Sequence, residues 1–145
     1  MSFNFISLKK CFSFKTERKA KQWLSNTVLS KFLTIGDINI IFCSDNYLLD
    51  LNINYLNHNT LTDIITFDYS SDDYISGDLY ISIDRIKFNA KKFNNTFNNE
   101  LNRVLVHGVL HLCGYKDKSK TENKLMKYQE NKNLKLLNKF YVINS

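Results

Sequence analysis

His107 and His111 stand four residues apart in the run ELNRVLVHGVLHLCGYKD, residues 100–117. On a helix that spacing stacks the two imidazoles on one face, where they can grip a single metal ion. Gly114 follows, the residue type that most easily takes the left-handed conformation that ends a helix, so residues 115–117 can fold back toward the histidines. Asp117 then brings a carboxylate to the same face. Two imidazoles and one carboxylate make three protein ligands, the number that leaves a fourth position open for water or substrate and so belongs to zinc sites that do chemistry.

Histidines at this spacing also occur as a plain surface or core pair, and spacing alone leaves both readings standing. The glycines weigh toward a site. A glycine inside a helix costs about 1 kcal/mol relative to alanine, yet this chain places two of its four glycines, Gly108 and Gly114, here. Gly108 implies a close neighbour of the helix backbone. It also occupies the place where HExxH zinc peptidases carry the glutamate that acts as general base, which argues against peptide cleavage.

The helix carrying the histidines begins near Glu100, with a core stripe of Leu101, Val104, Leu105, Gly108 and Leu112. Glu100, Arg103, His107 and His111 rise along another face. Cys113 lies about 200° from His111 and belongs to the core. Before this helix, Phe3, Phe5 and Leu8 predict a first strand, and Thr16 starts a helix over residues 16–30 with Ala20, Trp23, Leu24 and Val28 inward. Gly36 and Asp37 punctuate, and residues 38–43 form a near-continuous apolar strand. Ser44 or Asp45 caps a second helix whose buried stripe is Leu48, Leu51 and Tyr55. Alternation of Ile65, Phe67 and Tyr69 gives a third strand, a polar loop spans 70–76, and GDLYISID gives a fourth. Ile86, Ala90 and Phe93 mark a short helix, followed by an Asn-rich link over 94–99. Ser119 and Glu122 form a capping box for a last helix over residues 120–139, with Leu125, Met126, Leu134 and Leu137 available to pack. The pattern predicts an α/β (α+β) fold: a single layer of helices against a four-stranded mixed sheet, with the histidine helix central.

At 145 residues, 43% hydrophobic and 23% charged, the chain fits one globular domain over residues 1–145. Three cysteines without CxxC pairing read as reduced thiols. No signal segment or membrane-length apolar run is present, so a soluble cytoplasmic protein is expected. The net charge of +6 favours a polyanionic partner. Lysines crowd residues 9–21 and 116–139 and acidic residues 63–84, a division that also fits solvated faces in a lysine-rich chain.

The run HGVLHLCGYKD resembles the HGxLHLxGYDH signature of the YbeY family, bacterial metal-dependent endoribonucleases that act on single-stranded RNA and mature ribosomal RNA, especially the 3′ end of the small-subunit RNA. LTDIITFDY is similar to the family's TDVLSF strand and GDLYIS to its GDI-type strand, while Glu122, Met126 and Glu130 fall where its last helix carries similar residues.

The resemblance implies one zinc ion per chain held by His107 and His111. Where the signature ends in histidine this chain has Asp117, an acceptable zinc ligand whose negative charge makes the ion a weaker Lewis acid. The place of an arginine thought to contact RNA holds Leu56, and the nearest basic side chain is His58. Arg103, one turn before His107, can hold a phosphate near the metal or pair with Glu100. The activity implied is zinc-dependent endoribonucleolytic processing of ribosomal RNA through a metal-bound water. Single-stranded RNA and the small ribosomal subunit are the expected partners, with neither DNA nor membrane among them. The alternative is an RNA- or ribosome-binding factor with a structural or weakly active metal site.

Overall fold

The computed structural model describes residues 2–144, with side chains through residue 139. Its elements run β1 (Phe3–Ser7), α1 (Glu17–Leu29), β2 (Ile35–Cys43), α2 (Asp45–Leu56), β3 (Ile64–Asp68), β4 (Ile75–Ser82), α3 (Ile83–Lys92), α4 (Phe97–Leu112) and α5 (Lys120–Asn144). The four strands form one sheet in the order β1-β2-β4-β3. β1 and β4 pair parallel with β2, and β3 runs antiparallel along the outer edge of β4. This is the expected α/β class with a four-stranded mixed sheet.

Alternation along the strands sends side chains to two faces. Ile38, Ile40 and Phe42 of β2 and Leu79 and Ile81 of β4 meet Trp23 and Leu24 of α1, Leu105 and Val109 of α4, and Met126 and Leu137 of α5 in the main core. The opposite face carries a smaller cluster in which Leu48 of α2 packs on Cys43 and Ile65. Four helices therefore cover one face and α2 lies over the other, so the helices form two layers and not the single layer expected, because the sheet has an apolar cluster on each face. Tyr55, expected in the buried stripe of α2, is largely exposed and only its ring edge meets Phe67 of β3, while Asn52 takes the buried place one turn earlier. Phe93 is exposed just past the end of α3, and Leu125 is exposed because Met126 beside it takes the core-facing position of α5.

Several boundaries differ from those expected. β2 starts at Ile35 and passes through Gly36, read as punctuation, by a register irregularity, and β4 starts at Ile75, so Gly77, expected to open that strand, lies inside it. A Cβ on Gly36 would stand 2.7 Å from the Ile75 carbonyl oxygen, so close approach of neighbouring strands, not a turn, selects glycine there. β3 ends at Asp68 and leaves Tyr69 exposed. α3 begins at Ile83, straight out of β4, because the Ser82 hydroxyl accepts from the Arg85 amide at 3.1 Å. Likewise Thr96 caps α4 by accepting from the Asn99 amide at 3.1 Å, which turns part of the Asn-rich link into the first helical turn. Thr16 precedes α1 as expected but makes no capping bond with its side chain.

Buried polar contacts dock α5. The Trp23 indole donates to the Asn133 carbonyl at 2.7 Å and the Thr27 hydroxyl to the Asn133 side-chain oxygen at 2.9 Å, which fixes the helix in register against α1. The predicted capping box starts it: the Glu122 amide donates to Ser119 Oγ at 3.1 Å and the Ser119 amide to Glu122 Oε1 at 2.9 Å.

Candidate metal centre

α4 lies close on the sheet at Gly108, where only side-chain ends of the strands below face the helix backbone. A Cβ there would stand 2.7 Å from Ile64 Cδ1 and 3.0 Å from Leu79 Cδ1, so the helix axis sits close above β3 and β4 and presents His107 beside the sheet edge. At the other end the Tyr115 amide donates to the Leu110 carbonyl and the Gly114 amide to that of His111, both at 3.0 Å, with Gly114 at φ +104°. These two bonds form a Schellman ending, which reverses the chain and carries Asp117 back over the histidines. Cys113, expected in the core, is half-buried at this helix end, where burial pushes its thiol up to about 11; its sulfur is not among the ligand atoms that converge.

Three atoms converge. His107 Nε2 and His111 Nε2 are 3.0 Å apart, Asp117 Oδ2 is 3.2 Å from the His111 nitrogen and 3.4 Å from the His107 nitrogen. Bonds of roughly 2.0–2.2 Å in a tetrahedral zinc site set its ligand atoms about 3.3 Å apart, and the triangle matches that edge. Proton placement points the same way. The Tyr115 carbonyl, which can only accept, lies 2.9 Å from His111 Nδ1, and the Glu130 carboxylate lies 2.7 Å from His107 Nδ1. Both Nδ1 atoms therefore donate, and in the neutral rings both Nε2 atoms carry lone pairs. Two imidazole lone pairs and a carboxylate oxygen facing one another need a cation between them, so the donor set fits a divalent metal.

The surroundings are anionic. Burial works against a charged His107, but the hydrogen bond it donates to Glu130 and the charges of Glu130, Asp117 and Asp63 outweigh it and raise its pKa. Asp63, between α2 and β3, is raised mainly by its own burial, with the His107 charge opposing. Glu130, which is buried, also accepts from Arg103 Nη1 at 3.0 Å.

A cleft of about 830 Å³ opens over the triangle, lined by β3, the segment between α2 and β3, and residues 114–118. His58 and Leu56 line one part of its wall, Lys116 and Lys118 another. The structure thus brings together His107, His111, Asp117 and His58. Arg103 is turned away: its guanidinium bonds Glu130 and, at 3.1 Å, Asn131. Glu130 had a sequence signal only as a carboxylate placed like its counterparts in the last helix of the resembled family, without a role; its contact with His107 spans the α4–α5 interface. Lys118 was visible only as a member of a lysine-rich stretch, and Lys116 also as the residue that stands where the resembled signature has an aspartate before its last position.

Residues 5–138 match the family described as endoribonuclease YbeY. A Flavobacterium psychrophilum protein named endoribonuclease YbeY is 51% identical over 136 residues, 94% of this chain and 95% of the relative. A Bacteroides thetaiotaomicron protein of the same name is 47% identical over 118 residues, 81% of this chain and 86% of the relative. Among solved structures, the solution structure of a Thermotoga maritima protein superposes with a TM-score of 0.72 at 26% identity, covering 98% of this chain and 93% of the other.

Proposed function

The chain belongs to the endoribonuclease YbeY family, and on that premise we propose that it is a zinc-dependent endoribonuclease that cleaves single-stranded RNA and matures ribosomal RNA, at the 3′ end of the small-subunit RNA above all. The proposed metal ligands are His107, His111 and Asp117, and the proposed setting is the cytoplasm, on or near the small ribosomal subunit. The observation that carries this proposal is the triangle of two imidazole nitrogens and one carboxylate oxygen with edges of 3.0–3.4 Å at the floor of a wide cleft. Among the described residues, no helix is long and apolar enough to cross a membrane.

A zinc ion bound there supplies Lewis-acid stabilisation for the charge that develops on a phosphodiester during cleavage and acidifies a water. The chain's own side chains do the rest. Tyr115 and Glu130 hold the imidazoles with Nε2 toward the cleft, and Asp117 partly offsets the ion's charge. Lys116, Lys118 and His58 line the cleft, which supports a role for them as contacts to the phosphates of the RNA. Next to His107, where a zinc peptidase has its general base, Gly108 has no side chain and packs against Ile64 and Leu79, so that position supplies no base.

The test is cleavage by the purified chain of a single-stranded RNA ending in the precursor 3′ sequence of small-subunit RNA, beside an unrelated single strand, a duplex and a peptide panel. Cleavage of single strands that a chelator stops and zinc restores is expected, with the precursor cut best. A zinc-loaded protein that binds RNA without cutting it would favour the binding-factor alternative, and cleavage of peptides alone would exclude the nuclease. A second expectation concerns the walls. Each phosphate contact to a single strand contributes about 0.7 to the slope of log K against log salt. The Lys116→Ala, Lys118→Ala double variant is therefore expected to lower that slope by about 1.4 in fluorescence-anisotropy titrations. An unchanged slope would remove both lysines from the RNA path.

A further inference from the structure

We infer that Glu130 is the positioning residue for His107, and that Arg103 holds Glu130 from behind instead of contacting RNA. This rests on the assignment of His107, His111 and Asp117 as metal ligands, and is independent of which substrate is cut.

Arg103 and His107 lie one turn apart on α4, and both reach the same carboxylate of α5. Glu130 Oε2 is 2.7 Å from His107 Nδ1 and Oε1 is 3.0 Å from Arg103 Nη1, while Arg103 Nη2 donates to Asn131 Oδ1 at 3.1 Å. The Glu130 side chain is 8% exposed, so water does not compete for either oxygen. A carboxylate accepts and cannot donate; a contact this short assigns the proton to Nδ1 and leaves the Nε2 lone pair facing His111 and Asp117. Without Glu130 the ring is free to take the other tautomer, whose Nε2–H would donate to Asp117 or His111 and occupy the place of the cation. His111 needs no such side chain, because the backbone carbonyl of Tyr115 fixes its tautomer. Arg103 contributes by charge and geometry. A small space of about 120 Å³ beside His107 is lined by three carboxylates, Asp63, Glu100 and Glu130, with Arg103 as the one arginine or lysine among them. Its bond to Oε1 leaves Oε2 for the imidazole and offsets the repulsion that would turn Glu130 outward. The metal centre is thus coupled to the docking of α5, the helix that brings Glu130.

The test uses the full chain with Glu130→Ala, Glu130→Gln and Arg103→Ala, read three ways: zinc affinity of the metal-free protein by competition with a chelator, the His107 tautomer by ¹⁵N NMR of the imidazole, and helical content by circular dichroism. Glu130→Ala is expected to weaken zinc binding roughly 10- to 100-fold and to take His107 out of the Nδ1–H form at unchanged helicity. Glu130→Gln, whose amide oxygen can still accept from Nδ1, is expected to keep the tautomer and lose roughly tenfold or less; it also preserves the test should the alanine variant fail to fold. Arg103→Ala is expected to reduce zinc affinity less than Glu130→Ala does and to leave the salt slope of RNA binding unchanged. A folded Glu130→Ala protein with wild-type zinc affinity and an Nδ1–H His107 would overturn the role of Glu130. A salt slope lowered by about 0.7 in Arg103→Ala would return that residue to the RNA path. Should the wild-type chain bind no zinc, the ligand assignment fails, whereas the tautomer measurement on the metal-free protein still reports on Glu130.

Discussion

His111→Ala is expected to abolish zinc binding at stoichiometric concentration and to lower RNA cleavage by about three orders of magnitude or more, equivalent to about 4 kcal/mol of transition-state stabilisation. The size follows from the place of this nitrogen in the triangle. His111 Nε2 lies within 3.2 Å of both other ligand atoms, and without it His107 Nε2 and Asp117 Oδ2 remain 3.4 Å apart as a two-point site. The fold should survive. The His111 side chain is 27% exposed on the cleft floor, so truncation removes surface and leaves no sealed cavity, and the helix end is held by backbone bonds through Gly114 and Tyr115. Elemental analysis, single-turnover cleavage and thermal unfolding on one preparation check the three parts. A folded, metal-free variant that cut RNA at the wild-type rate would exclude a metal-dependent reaction.

Gly77→Ala is expected to cost about 3 kcal/mol of stability, the upper part of the range for overpacking, and to lower Tm by on the order of 10 °C. A Cβ on Gly77 would run into the Phe67 carbonyl oxygen of β3 and stand 2.8 Å from Leu112 Cδ2. The carbonyl belongs to the antiparallel ladder, so relief requires β3 to move, and β3 forms a wall of the cleft. Leu112 is the last residue of α4, directly after His111, so the same strain reaches the metal ligands. Gly108→Ala is the control. Its new methyl would meet only the ends of the Ile64 and Leu79 side chains, which can rotate, and the helix would gain about 1 kcal/mol in propensity. Urea denaturation should show a large loss for Gly77→Ala and a small net change for Gly108→Ala. Equal losses would mean that contact with backbone is not what makes Gly77 necessary.

Much of this was legible in the chain because it is local. The His107–His111 spacing, the glycine after the helix and the capping box at Ser119 are each written within a few residues, and each forms as expected. Glycine had two meanings, however. Gly114 ends a helix through its positive φ, whereas Gly36 and Gly77 sit inside strands where a neighbour's carbonyl leaves no room, and composition alone does not separate the two. Helical periodicity finds a stripe without saying which of its members meet a partner: Tyr55 reads as buried and is exposed, and Leu125, read as available to pack, is half-exposed beside the buried Met126. The contact between His107 and Glu130 was beyond reach for a different reason. It depends on how α5 docks against α4, across 23 residues of sequence, which no local pattern encodes.

The central claim is the ligand set, and anomalous diffraction at the zinc edge from crystals of the protein as purified tests it most directly. The expected map has one peak per chain, roughly 2.0–2.2 Å from His107 Nε2, His111 Nε2 and a carboxylate oxygen of Asp117, and no such peak in the Asp117→Ala variant at equal zinc. A peak elsewhere in the chain, or one of full height at the histidines in the variant, would contradict the assignment of these three residues.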